Sequence, residues 1–146
     1  MSTTLGNIAY AILMAGSLMT SCSEKPLTPE KAAAIRIAAG GERLPASASN
    51  IWFREVHRKG AMQNVRFDGP LDETRQFAEG LLKKELRVDK TPLAQYCCQD
   101  LDWWIKSAPP GAFVGNSDIN GRSVQAVMTV ESSGRARLWV KIFVKA

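Results

Sequence analysis

The chain has 146 residues, a length that suits one compact domain of ordinary size and is too short for two domains joined by a long linker. Hydrophobic residues make up 45% and charged residues 23%, a balance that excludes collagen-like, coiled-coil and wholly disordered chains. Lysine and arginine outnumber the acidic residues by 19 to 14, so the net charge is +5 and the chain is mildly basic.

The first 21 residues contain no charged side chain. Their apolar run, Leu5–Met19, has the length of a signal-peptide apolar region and is shorter than the ~20 residues that a membrane-spanning helix needs. From the residues alone, the run also fits a buried N-terminal helix over Ile8–Met19 with Cys22 as a core residue, or a single signal anchor.

The apolar run ends in Leu18-Met19-Thr20-Ser21-Cys22, which polar residues follow. This segment resembles the lipobox of bacterial lipoproteins. The resemblance covers about the first 25 residues and implies that residues 1–21 are a signal peptide and that Cys22 is diacylated at the new N-terminus. Because two or more acyl chains anchor a protein stably to a membrane, Cys22 is the predicted lipid attachment site.

Residues 22–49 are predicted to form a tether with one short helix. Thr28-Pro29-Glu30 has the N-cap, the early proline and the acidic residue that are typical of a helix start. Gly40-Gly41 is typical of a helix end. The alanines between them favour a helix but bury little area, so the single packed domain is expected to cover residues 50–146.

Within that domain, two pairs of strands are predicted on either side of one main helix. Ile51–Val56 and Met62–Phe67 are rich in β-forming residues around a basic turn. Leu71–Leu86 carries the apolar stripe and the terminal charges of an amphipathic helix. Two C-terminal segments, Val124–Val130 and Ala136–Val144, alternate apolar and polar residues as half-buried strands do.

The stretch Val88–Ser123 is expected to be mostly irregular, with a short helix over Asp100–Lys106 and several turns. The order of elements therefore predicts an α+β fold. In this prediction, a small antiparallel sheet of two hairpins has the main helix packed on one face as a two-layer sandwich, and an alanine-rich helix precedes it.

His57 is the single histidine, which excludes zinc sites with two or three histidine ligands. It lies beside Arg54, Arg58 and Lys59, whose charges disfavour an imidazolium, so we predict a solvated or edge-strand residue. The sequence contains no Walker loop, no G-x-S-x-G motif and no dinucleotide fingerprint. We therefore predict no catalytic residue, no metal site and no cofactor.

Tyr96, Trp103 and Trp104 form the densest aromatic cluster. They are candidate binding residues, because exposed aromatic rings stack on a sugar, a peptide or a base, or anchor in a lipid interface. The alternative is core packing. Cys97 and Cys98 are adjacent, and their Cα atoms are too close for an unstrained disulfide, so they are either passive thiols or a pair with a redox or intermolecular role.

Together these features predict a non-catalytic lipoprotein of the bacterial cell envelope, held on an inner or outer membrane by acylated Cys22, with a binding or structural role. The expected partner is an envelope protein or a glycan. No nucleic acid is expected, since the basic residues lack the interleaved aromatics of an RNA-binding strand. The alternative is a small envelope hydrolase or inhibitor that contacts cell-wall or carbohydrate material through Trp103 and Trp104.

Overall fold

The computed structural model describes residues 20–22, 25–38, 40–88 and 101–145. These residues form nine elements in the order β1 (Thr20–Cys22), α1 (Pro29–Ala34), β2 (Ser49–His57), β3 (Gly60–Pro70), α2 (Leu71–Leu82), β4 (Arg87–Val88), β5 (Phe113–Ile119), β6 (Arg122–Ser132) and β7 (Arg135–Lys145). All seven strands pair antiparallel in one sheet of order β1-β2-β3-β7-β6-β5-β4.

The predicted α+β class is wrong, because the described part of the protein is mainly β, with 47% of it in strands and 17% in helices. Three of the strands are 11 residues long, so the sheet is larger than the small one expected. β5 lies in the stretch expected to be irregular and pairs with β6 along its whole length. Residues 101–106 form turns and bends in place of the short helix predicted there.

The first face of the sheet is the side covered by α2, which packs across β3, β5, β6 and β7. The helix and sheet lie so close at Gly115 that a Cβ atom there would come within 2.7 Å of Leu82 Cδ1. On β7, the apolar residues of this face alternate as the sequence predicts. Four of them are at most 1% exposed: Ala136, Leu138, Val140 and Ile142.

α1 begins where the sequence predicts. The Thr28 hydroxyl accepts a hydrogen bond from the Lys31 backbone N–H at 3.4 Å, and Pro29 lies in the first turn. The helix ends at Ala34, however, and the chain is already extended at Ile35, well before the predicted end at Gly40-Gly41.

Gln63 of β3 explains how the chain continues after α1. Its side chain is 2% exposed, donates through Nε2 to the Arg36 carbonyl at 2.9 Å and accepts through Oε1 from the Ala38 N–H at 2.8 Å. One side-chain amide thus satisfies two backbone groups that a helix would otherwise pair. The extended conformation buries Ile35 and Ile37 in the same apolar cluster as the first face.

The second face of the sheet carries a smaller apolar cluster under the loop formed by residues 101–112. It consists of Leu101, Trp103, Trp104, Ala112, Val114, Val127 and Trp139, with Trp52, Ile105 and Ala108 at its border. Both faces of the sheet are therefore covered in part, the first by a helix and the second by a loop.

Candidate functional site

Trp103 and Trp104, two of the predicted binding residues, are 8% and 5% exposed. The Trp103 ring stacks on Trp52 with a centroid separation of 6.0 Å and meets Trp104 edge-on at 5.9 Å. The Trp103 carbonyl accepts hydrogen bonds from Trp139 Nε1 and Arg66 Nη1, both at 3.3 Å. Packing accounts for these contacts, and a direct binding role for the two tryptophans stays a prediction.

Tyr96, the third predicted binding residue, lies outside the described residues, as do Cys97 and Cys98 and residues 1–19 of the predicted signal peptide. Cys22, the predicted lipid attachment site, is the last residue of β1. Its register partner on β2 is Arg54. The backbone of Cys22 therefore lies at the edge of the sheet, beside a basic residue.

At one end of the second face, Asp68 of β3 and Arg137 of β7 form an ion pair. Arg137 Nε and Nη2 donate to the carboxylate at 2.7 and 3.1 Å, and Asn50 Nδ2 donates at 3.2 Å. Burial alone would raise the pKa of Asp68, but these hydrogen bonds and the charges of Arg137 and Arg66 outweigh burial and hold the pKa below its ordinary value. Because this carboxylate is satisfied within the fold, we assign this end of the face a structural role.

The other end of the second face carries an apolar row that belongs to neither apolar cluster of the described residues. Val56, Met62 and Phe143 are register partners on β2, β3 and β7, and each is only partly buried. Five basic residues of β2, β7 and the β2–β3 turn surround this row: Arg54, Arg58, Lys59, Lys141 and Lys145. We call these eight residues the basic patch. Apolar surface with a charged rim is typical of an interaction site.

Lys141 is a half-buried cation of the basic patch. Its register partners are Asn64 on β3 and Gln125 on β6, neither of which carries a charge. Burial lowers the pKa of Lys141, because partly dry surroundings disfavour an ammonium ion. Within the described ranges no carboxylate forms an ion pair with it. A cation kept in such surroundings reduces the stability of the fold and remains available to an anion.

His57 lies at the end of β2, where its side chain is 61% exposed and its Nε2 is 2.9 Å from Glu55 Oε1. Water reaches this imidazole, which is unfavourable for electrostatic catalysis. The part of the chain that the structure describes holds no group of three potential metal ligands. The candidate site is therefore a surface of basic and apolar side chains, the basic patch.

No family profile, no curated protein and no solved structure matches this chain significantly. None of the described helices has the length and apolar character needed to cross a membrane. The identity of a ligand therefore has to be inferred from the residues of the basic patch.

Proposed function

We propose that the protein is a non-catalytic, lipid-anchored domain of the bacterial cell envelope that rests on an anionic membrane surface through the basic patch. The observation that carries this proposal is the row Val56, Met62 and Phe143, which lies outside both apolar clusters and among five cations. Apolar and aromatic side chains enter the headgroup region, while lysine and arginine are attracted to its phosphates.

The position of Cys22 is consistent with this orientation. Neighbouring strands lie roughly 5 Å apart, so the Cys22 backbone is about that far from the backbone of Arg54. The Debye length at physiological salt is about 8 Å. The predicted cleavage would remove Thr20 and Ser21 of β1 and leave Cys22 as the residue opposite Arg54. An acyl chain on Cys22 would therefore hold Arg54 within reach of the headgroup charges, with Lys141 two strands further along the sheet.

The lipid anchor is tested by metabolic labelling with an alkyne analogue of palmitate in a bacterial host. We expect the wild-type chain to be labelled and Cys22→Ser to lose all label, because the thiol is the acceptor. Cys98→Ser is the matched control and should keep it. The intact mass should correspond to loss of residues 1–21 and a gain of two or more acyl chains. Full labelling of Cys22→Ser would contradict the anchor.

The basic patch is tested by sedimentation of the full chain with vesicles of phosphatidylglycerol or phosphatidylcholine. Each basic residue near an anionic surface contributes about 1 kcal/mol. Replacing two exposed cations, Arg58→Gln together with Lys145→Gln, should therefore weaken binding to phosphatidylglycerol about 30-fold. Binding to phosphatidylcholine, which carries no net charge, should change little.

The control for that experiment is Lys84→Gln together with Arg87→Gln, which removes two exposed cations beyond the C-terminal end of α2. This pair should leave the binding to phosphatidylglycerol within threefold of the wild type. Equal weakening by both pairs would mean that net charge alone attracts the protein. Wild-type binding that is the same on both lipids would remove the proposed role of the basic patch.

A further inference from the structure

An apolar pocket lies between α1, the loop that precedes β2, and the start of β2. Its volume is about 430 Å³, within the range of small-molecule sites. Ala32 and Ile51 belong to the buried cluster of the first face, and Leu27, Leu44 and Ala48 pack against that cluster. The aliphatic lining consists mainly of Leu27, Ala32, Leu44, Ala48 and Ile51.

Of the described residues that line this pocket, Arg43 is the one that carries a charge. It is exposed, and within the described part of the chain no carboxylate pairs with it. The acidic neighbour Glu42 instead pairs with Arg122, at 3.2 Å. A guanidinium group is thus present at an apolar pocket, and no carboxylate of the described residues neutralises it.

The polar lining residues Ser49 and Asn50 are already engaged elsewhere. The Ser49 hydroxyl accepts a hydrogen bond from Arg135 at 3.3 Å, and the Asn50 amide donates to Asp68 at 3.2 Å. A peptide in this pocket would bury backbone N–H and C=O groups with few partners, which is unfavourable. An alkyl chain has no polar group to satisfy.

We propose that this pocket binds a long-chain carboxylate, with the alkyl chain among the aliphatic residues and the carboxylate at Arg43. An aliphatic lining with a single cation matches a ligand that has one long apolar part and one anionic end. Burial of each methylene strengthens binding about fourfold. This site is separate from the basic patch, so either proposal can fail without the other.

Isothermal titration calorimetry of the full chain with monomeric dodecanoate tests the site. We expect one saturable site, and decanoate should bind about 16-fold more weakly because it lacks two methylenes. Dodecyltrimethylammonium has the same chain with a cationic head and should bind at least tenfold more weakly than dodecanoate. Absence of saturable dodecanoate binding, or equal affinity for the two head groups, would overturn the proposal.

Substitutions at the pocket test whether dodecanoate binds there. Arg43→Gln should weaken dodecanoate binding about tenfold, whereas Arg87→Gln, at an exposed arginine outside both the pocket and the basic patch, should leave it unchanged. Ala33→Leu, at an exposed position of α1 that lines the pocket, should reduce the affinity for dodecanoate and decanoate alike by filling the space. If circular dichroism shows that this variant is unfolded, Ala46→Leu fills the same pocket from the loop. Wild-type affinity in Arg43→Gln would exclude the head-group contact.

Discussion

Phe67→Ala is expected to destabilise the protein by about 3–5 kcal/mol, a large part of the 5–15 kcal/mol that folded domains typically have. Phe67 lies on the first face of β3, is 0% exposed, and meets the Phe77 ring of α2 edge-on with a centroid separation of 5.5 Å. Truncation removes this contact and leaves a cavity between the sheet and the helix, which well-packed neighbours fill only in part.

Urea unfolding followed by far-ultraviolet circular dichroism measures this effect, and the midpoint should fall by roughly 2 M. Val130→Ala on β6 is the matched control, because Val130 is 52% exposed and its truncation should change the stability by less than about 0.5 kcal/mol. If Phe67→Ala unfolded at the wild-type midpoint, the close packing of α2 on the first face would be disproved.

Trp103→Ala is expected to destabilise the protein by a similar amount, about 3–5 kcal/mol, through the other face of the sheet. The substitution removes the stack on Trp52 and the edge contact with Trp104. As the loop loosens, Arg66 and Trp139 lose the carbonyl to which they donate, and both donors are then left without that partner at the sheet.

Near-ultraviolet circular dichroism and urea unfolding measure this second effect, with Asp102→Ala as a control at an exposed position of the same loop. The aromatic signal should weaken and the midpoint should fall, while the control stays near the wild type. The experiment also separates the two roles considered for Trp103. A residue that serves only as a stacking platform for a ligand would leave the unfolding midpoint unchanged.

Some elements are predictable from the sequence because their patterns are local. The alternation along β7 and the apolar stripe of α2 each lie within a dozen residues, and both elements are present. α2 ends at Leu82 and not at Leu86, because Lys83 adopts a left-handed conformation with φ of 58° that stops the helix. Lysine is a good helix former, so the sequence does not indicate that α2 ends before Lys83. Only the backbone conformation of Lys83 shows where the helix ends.

β5 is not predictable in this way. Its sequence contains glycine, asparagine, serine and aspartate, residues that are depleted in strands. It is a strand because β6 offers a continuous ladder of partners, from Met128 opposite Phe113 to Arg122 opposite Ile119. The α+β prediction fails mainly at this point, where tertiary pairing overrides local propensity.

The candidate site also depends on tertiary contacts that the local sequence does not predict. Alternation places Trp139 on the polar side of β7, but its indole is only 9% exposed because residues of a loop about 36 positions earlier cover it. The basic patch depends on the register that brings Val56, Met62 and Phe143 side by side. The basic β2–β3 turn and the cations of β7 are visible in the sequence, but nothing local indicates that they are neighbours.

The two hydrogen bonds of Gln63 bear on how freely the domain can move relative to an anchor. A flexible tether of 25 to 30 residues would allow a domain to move roughly 30 Å from its point of attachment. Here Gln63 fastens Arg36 and Ala38 to β3, and the Leu27 N–H donates to the Ile51 carbonyl at 2.7 Å. If the chain is anchored at Cys22, these hydrogen bonds prevent the segment after Cys22 from acting as a long flexible linker. They would therefore keep the sheet at a short, fixed height above the bilayer.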